Sequence, residues 1–166
     1  MQGKNSGISS IDDLENKIFA FVSMQSSSGY TYPLARFIDL GIDYHTYFNK
    51  VYFLGSHPRV TDAIVAGSVD AGATWDYNLK KAIEKHGDIF NIIATVGTIP
   101  NLGIASNSLL SDDVKKKIKS ALINIDPMLL KGLPASGYVA GDDAYYDKVR
   151  EVIDQISDVD TASIYS

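Results

Sequence analysis

Three short stretches hold the residues best able to do chemistry: Gln25-Ser26-Ser27-Ser28-Gly29, Gly55-Ser56-His57 and Thr74-Trp75-Asp76. Each lies where an apolar, β-prone run gives way to a helical pattern. Ser26, Ser27 and Ser28 put hydroxyls and backbone N–H groups at a helix start, where orphan amides and the helix dipole favour an anion. His57 and Asp76 occupy the corresponding place at the next two junctions. The competing reading is structural, since serine and aspartate before a helix commonly act as N-caps. A serine hydrolase is a weaker alternative. The Gly-x-Ser-x-Gly elbow is absent, and a histidine at a helix N-terminus is disfavoured as a proton-accepting base by the dipole. His45, His57 and His86 lack the spacing of a metal site. A Gly-Lys-Ser/Thr phosphate loop is missing as well. The reading calls for no cofactor and no metal.

The elements that position these residues follow from periodicity. Residues 17–23 (KIFAFVS) read as a buried strand, and Tyr30, Leu34, Phe37 and Ile38 form one stripe of a helix ending at Gly41. The unit repeats. Residues 50–54 give a second strand, Pro58 suits a first helical position, and Val60, Ile64 and Val65 supply an inward stripe. Residues 69–73 are a third strand, before a helix with Leu79, Ala82 and Ile83 facing in; residues 90–96 are a fourth. Strand and helix alternating in this way predict an α/β fold, with a mainly parallel sheet covered on both faces. In such sheets ligands bind beyond the carboxyl ends of the strands, which puts all three stretches on one edge.

Beyond Pro100 the pattern changes. Residues 102–106 suggest one more strand. Ser111 caps a helix with Asp112 and Asp113 in its first turn and Val114, Ile118, Ala121 and Leu122 along one face. Residues 126–142 read as loops, residues 143–156 as a last helix, and the polar tail from Ser157 is expected to fray. The boundaries that follow are a ligand-binding lobe over 12–102, a C-terminal segment over 103–156 and a tail over 157–166.

Composition narrows the function classes. With 15 Lys and Arg against 20 Asp and Glu, the net charge of −5 argues against a nucleic-acid partner. The absence of cysteine excludes disulfide scaffolds and thiol nucleophiles. The polar first five residues lack the apolar stretch of a signal peptide, so the chain reads as cytoplasmic or as cut from a longer precursor.

Residues 7–30 (GISSIDDLENKIFAFVSMQSSSGY) resemble the segment that opens the second lobe in the phosphonate/phosphate/phosphite ABC-transporter substrate-binding proteins. Further matching pieces keep the family's order: Gly55-Ser56-His57, Val69-Asp70-Ala71-Gly72-Ala73, Ile99-Pro100-Asn101, the Lys-rich helix from Leu110, and Asp143-Ala144-Tyr145-Tyr146-Asp147-Lys148-Val149-Arg150. The resemblance spans roughly residues 7–156. It implies a periplasmic-binding-protein fold of the second type, extracytoplasmic in its full form, with a small phosphorus oxyanion in the cleft and an ABC-transporter permease as partner. By position, Ser26, Ser27 and Ser28 match the family's oxyanion-binding turn and His57 its cleft histidine. Asp76 falls where the family places a polar or acidic contact, and Tyr30 completes the motif while facing the core by helical phase. A sensor domain of the same fold is the alternative role.

Two departures carry expectations of their own. Leu102 stands where the family commonly has an aspartate that favours amino-bearing ligands, so a ligand without a cation is expected. The match also begins at the second lobe. A half-site of this kind should bind weakly, and the apolar faces of residues 103–156 would need other cover, such as a second copy of the chain.

Overall fold

The computed structural model describes residues 1–3 and 7–164 of the 166. Its centre is β2 (Ile18–Phe21), which pairs in parallel with β3 (Lys50–Phe53) on one side and β4 (Ala71–Gly72) on the other. Alternate β2 side chains enter two different cores. Phe19 and Phe21 join Leu34 and Phe37 of α1 (Tyr32–Asp39), together with Tyr30, Tyr44 and Phe48. Ala20, with Val22 just beyond the strand, joins Val60 and Ile64 of α3 (His57–Val65) and Ala82 of α4 (Asp76–His86). A period of two that buries both faces is the signature of a sheet sandwiched between helices. The expected α/β layering is therefore present.

The sheet is not wholly parallel. Its order is β3-β2-β4-β1-β5, with β1 (Gln2–Gly3) antiparallel to both β4 and β5 (Phe90–Asn91). Two residues are too few to show an alternating pattern, so this strand is invisible to periodicity. The fourth expected strand shrinks to Phe90 and Asn91. Ile93, Val96 and Ile99 instead pack against the first core from irregular backbone, and Ile92 is exposed. Residues 102–106 form no strand, and Leu102 is 97% exposed. On α3, which begins one residue before Pro58, Val65 lies at the exposed end of the expected stripe. Short α2 (Tyr44–Tyr47) links α1 to β3.

The chain divides into two compact units, Met1–Ile99 with Val149–Ser166, and Pro100–Lys148. In the first, α6 (Asp147–Ile164) sends Val152 and Ile156 into the Phe19–Phe21 core, and Gln155 Nε2 donates to Asp39 Oδ1 at 2.7 Å. These residues fall in the segment read from sequence as separate from the ligand-binding lobe. No glycine or proline interrupts α6, which runs past Ser157 where a frayed tail is expected. Residues 4–6, 165 and 166 lie outside the description, taking with them part of the polar N-terminal stretch and the end of the tail.

The second unit carries α5 (Asp112–Ile123), capped by Ser111 Oγ on the Val114 amide at 3.4 Å. Lys117 pairs with Asp113 at 2.7 Å on its outer side. Its expected apolar face is there, yet none of its residues is buried, and Val114 and Ile118 are both exposed. Tyr146 ties the unit's two ends by donating to the Asn101 carbonyl at 2.9 Å.

Candidate functional site

The chain leaving β2 closes on itself before the next helix. The Val22 amide donates to the Gly29 carbonyl at 3.1 Å, and the amides of Tyr30 and Thr31 both donate to the Ser26 carbonyl. This makes a single wide turn over Ser27–Thr31. Ser26 Oγ accepts from the Gly29 amide at 3.0 Å, so the capping reading holds for Ser26. Among the described residues the Ser27 and Ser28 amides and the Ser27 hydroxyl have no protein partner. A glycine in such a turn could serve to let a ligand approach the backbone closely. The structure gives Gly29 to the protein: a Cβ there would sit 2.4 Å from Val22 Cγ2.

At the second junction Gly55 takes φ +79°, a left-handed turn that glycine enters without strain. Ser56 then precedes α3 without using its hydroxyl as a cap. His57, half-buried, places Nε2 3.5 Å from Ser28 Oγ and Nδ1 3.1 Å from Thr74 Oγ1. The first two junctions are thus brought together, with the third behind them. Burial holds the imidazole pKa below its ordinary value, because removing water penalises the charged ring. Burial thus favours the neutral ring.

The third junction differs from expectation. Asp76 opens α4 but is exposed, and its Oδ1 accepts from the Tyr77 amide at 2.8 Å. The residues around it face the site instead. Trp75 lies 5.7 Å from the His57 ring and 5.3 Å from Tyr77, centroid to centroid. Asn78 is buried, donating from Nδ2 to the His57 carbonyl and to Thr74 Oγ1, both at 3.1 Å.

Around these groups is an open cavity of about 500 Å3. Ser26, Ser56 and His57 line it from the first two junctions, and Trp75, Tyr77 and Asn78 from the third. Ser27, Ser28 and Asp76 are not in its wall, although Ser28 reaches the wall through His57. No lining residue is Asp, Glu, Lys or Arg. The surface is therefore one of neutral donors beside an aromatic wall, suited to an anion held by dipoles and hydrogen bonds. It is poorly suited to acyl transfer, because His57 Nδ1 meets a threonine hydroxyl where a carboxylate would stabilise an imidazolium. Among the described residues no group of His, Asp and Glu could hold a metal ion.

Residues 3–146 match the family described as the periplasmic substrate-binding protein of phosphonate ABC transporters. The chain belongs to that family. Among curated relatives of this phosphonate-binding family, the phosphate-import protein PhnD of Mycolicibacterium smegmatis is 26% identical, over 89% of this chain and 53% of its own length. A binding-protein component of an ABC phosphonate transporter from Pseudomonas aeruginosa superposes with a TM-score of 0.74 at 20% identity, covering 91% of this chain and 54% of that one. PhnD1 of Prochlorococcus marinus, solved with methylphosphonate, gives 0.68 at 22% identity, over 94% and 65% of the two chains. The likeness in structure shows the periplasmic-binding-protein fold. The chain spans about half to two thirds of the length of these relatives. The phosphonate-binding family consists of transporter components rather than enzymes, and among the described residues no helix is long and apolar enough to cross a membrane.

Proposed function

We propose that this chain is the oxyanion-holding part of an extracytoplasmic solute-binding protein for phosphonate, phosphite or phosphate, working with an ABC-transporter permease. One observation carries the reading: the starts of three helical segments, through Ser26, Ser56, His57, Trp75, Tyr77 and Asn78, meet around one cavity free of charged side chains. Ser26, Ser27, Ser28 and His57 are the proposed contacts; Asp76 enters only as the residue that opens α4. The aromatic wall of Trp75 and Tyr77 gives an organic substituent somewhere to lie. With no carboxylate in the lining, a ligand amino group gains no ion pair, which agrees with leucine at position 102.

Magnitudes set the strength. A helix N-terminus contributes about 0.3–1 kcal/mol and a hydrogen bond to a charged group about 1.5–3 kcal/mol, both reduced when the anion stays hydrated. Micromolar binding requires about −8 kcal/mol and millimolar about −4 kcal/mol. An open cavity offering two or three neutral donors belongs near the millimolar end. Calorimetric titration with methylphosphonate, phosphite and phosphate should give dissociation constants of roughly a millimolar, and Ser28→Ala should weaken them about tenfold. Turnover of a phosphate or carboxylate ester, lost in the same variant, would sink the binding reading in favour of the hydrolase.

A second copy of the chain is the further partner proposed. Leu109, Met128 and Leu129 of the second unit are largely exposed along with Val114 and Ile118, an apolar load that a monomer would leave wet. Light scattering should return twice the 18.1 kDa chain mass; a monomer at all concentrations would count against it.

A further inference from the structure

We propose that Thr74 and Asn78 are positioning residues that lock His57 as the neutral tautomer with its proton on Nε2, so that a fixed N–H faces Ser28 and the cavity. The assignment follows from which atoms can only accept. A backbone carbonyl has no proton, so the Asn78 side-chain atom 3.1 Å from the His57 oxygen must be the amide nitrogen. The second hydrogen on that nitrogen points to Thr74 Oγ1, also at 3.1 Å, which makes the hydroxyl an acceptor there. Its own single proton then has one partner among the described residues, His57 Nδ1 at 3.1 Å. A hydroxyl that donates to Nδ1 requires a bare Nδ1, and a neutral ring then carries its proton on Nε2. The opposite tautomer would leave the Thr74 proton without a protein acceptor in a half-buried place, a loss that buried networks avoid.

The relay also fixes geometry. Thr74 follows β4, Asn78 sits in the first turn of α4, and both grip a residue at the start of α3. The imidazole is thereby held from its ring and from its backbone at once. Burial favours the uncharged ring, in which the Nε2 proton is a neutral donor. The consequence for anion binding rests on the oxyanion reading above; the tautomer itself does not.

Nitrogen chemical shifts of the imidazole, read by long-range 1H–15N correlation on the full chain at neutral pH, report the tautomer directly. Wild type is expected to show a protonated Nε2 and an unprotonated Nδ1. Thr74→Val should shift His57 toward a tautomer mixture and weaken methylphosphonate binding at least about threefold, while Thr74→Ser should restore both. A wild-type spectrum with the proton on Nδ1 would overturn the proposal without any variant, as would an unchanged ring signal in Thr74→Val. If the tautomer and its shift are as expected but methylphosphonate, phosphite and phosphate all fail to bind, the relay stands and the oxyanion reading falls.

Discussion

Replacing Phe21 by alanine should lower the stability of the first unit by about 3–5 kcal/mol, a large share of the roughly 5–15 kcal/mol available to a domain. The ring is completely buried and sits at the centre of an aromatic cluster. It stacks on Phe53 at 5.6 Å and meets Phe19, Tyr30 and Tyr44 edge-on at 4.9, 5.2 and 5.7 Å. Such pairs add to the cost of lost burial, and these four rigid neighbours cannot collapse into the void together. Phe21 is also the last residue of β2, and Tyr30 belongs to the serine turn, so the cavity should loosen as well. Urea unfolding followed by tryptophan emission from Trp75 measures it: a much lower midpoint with an unchanged slope is expected. A midpoint within experimental error of wild type would show that the cluster is not the unit's core.

Why Phe21 was legible in the sequence, and Asn78 was not, comes down to which interactions leave a periodic trace. Strand β2 is legible because its run of five apolar residues is short and rich in β-branched and aromatic side chains, which alternate between two cores. The serine turn and His57 were marked by local chemistry, with hydroxyls, Gly55 and Pro58 punctuating the strand ends. Asn78 carries no such mark. A polar residue in the first turn of a helix reads as solvated, and only the approach of α3 turns it into a buried partner of His57. Asp76 is marked by its place at the third junction, where the resemblance implies a polar or acidic contact, but a carboxylate that can reach the next amide is spent locally. Residues 90–96 and 102–106 suggest strands because local spacing cannot say whether a partner strand exists. The sheet ends instead at β5. The stripe on α5 is legible in Val114, Ile118 and Leu122, yet no residue of that helix is buried.

Gly29→Ala should be the most damaging change at the site itself. The position does not need glycine for a left-handed backbone; it needs glycine for space. An added methyl would lie 2.4 Å from Val22 Cγ2, 2.5 Å from Val22 Cβ and 2.8 Å from Ser26 Oγ. Val22 cannot swing aside, because its side chain is packed in the second core and its amide is bonded to the Gly29 carbonyl. The turn must open instead. Overpacking of this kind costs about 1–3 kcal/mol, and losing the Ser26 cap adds about 1 kcal/mol. Opening the turn also carries Ser28 away from His57, so methylphosphonate affinity should fall with stability. Ser26→Ala isolates the steric effect: it removes the cap, and a proposed ligand contact with it, but adds no bulk, and it should cost only about 1 kcal/mol of stability, with the turn still closed by the Val22–Gly29 bond. If Gly29→Ala unfolds at the wild-type denaturant concentration and titrates normally, the turn is not held by this contact, and the geometry assigned to Ser28 and His57 loses its support.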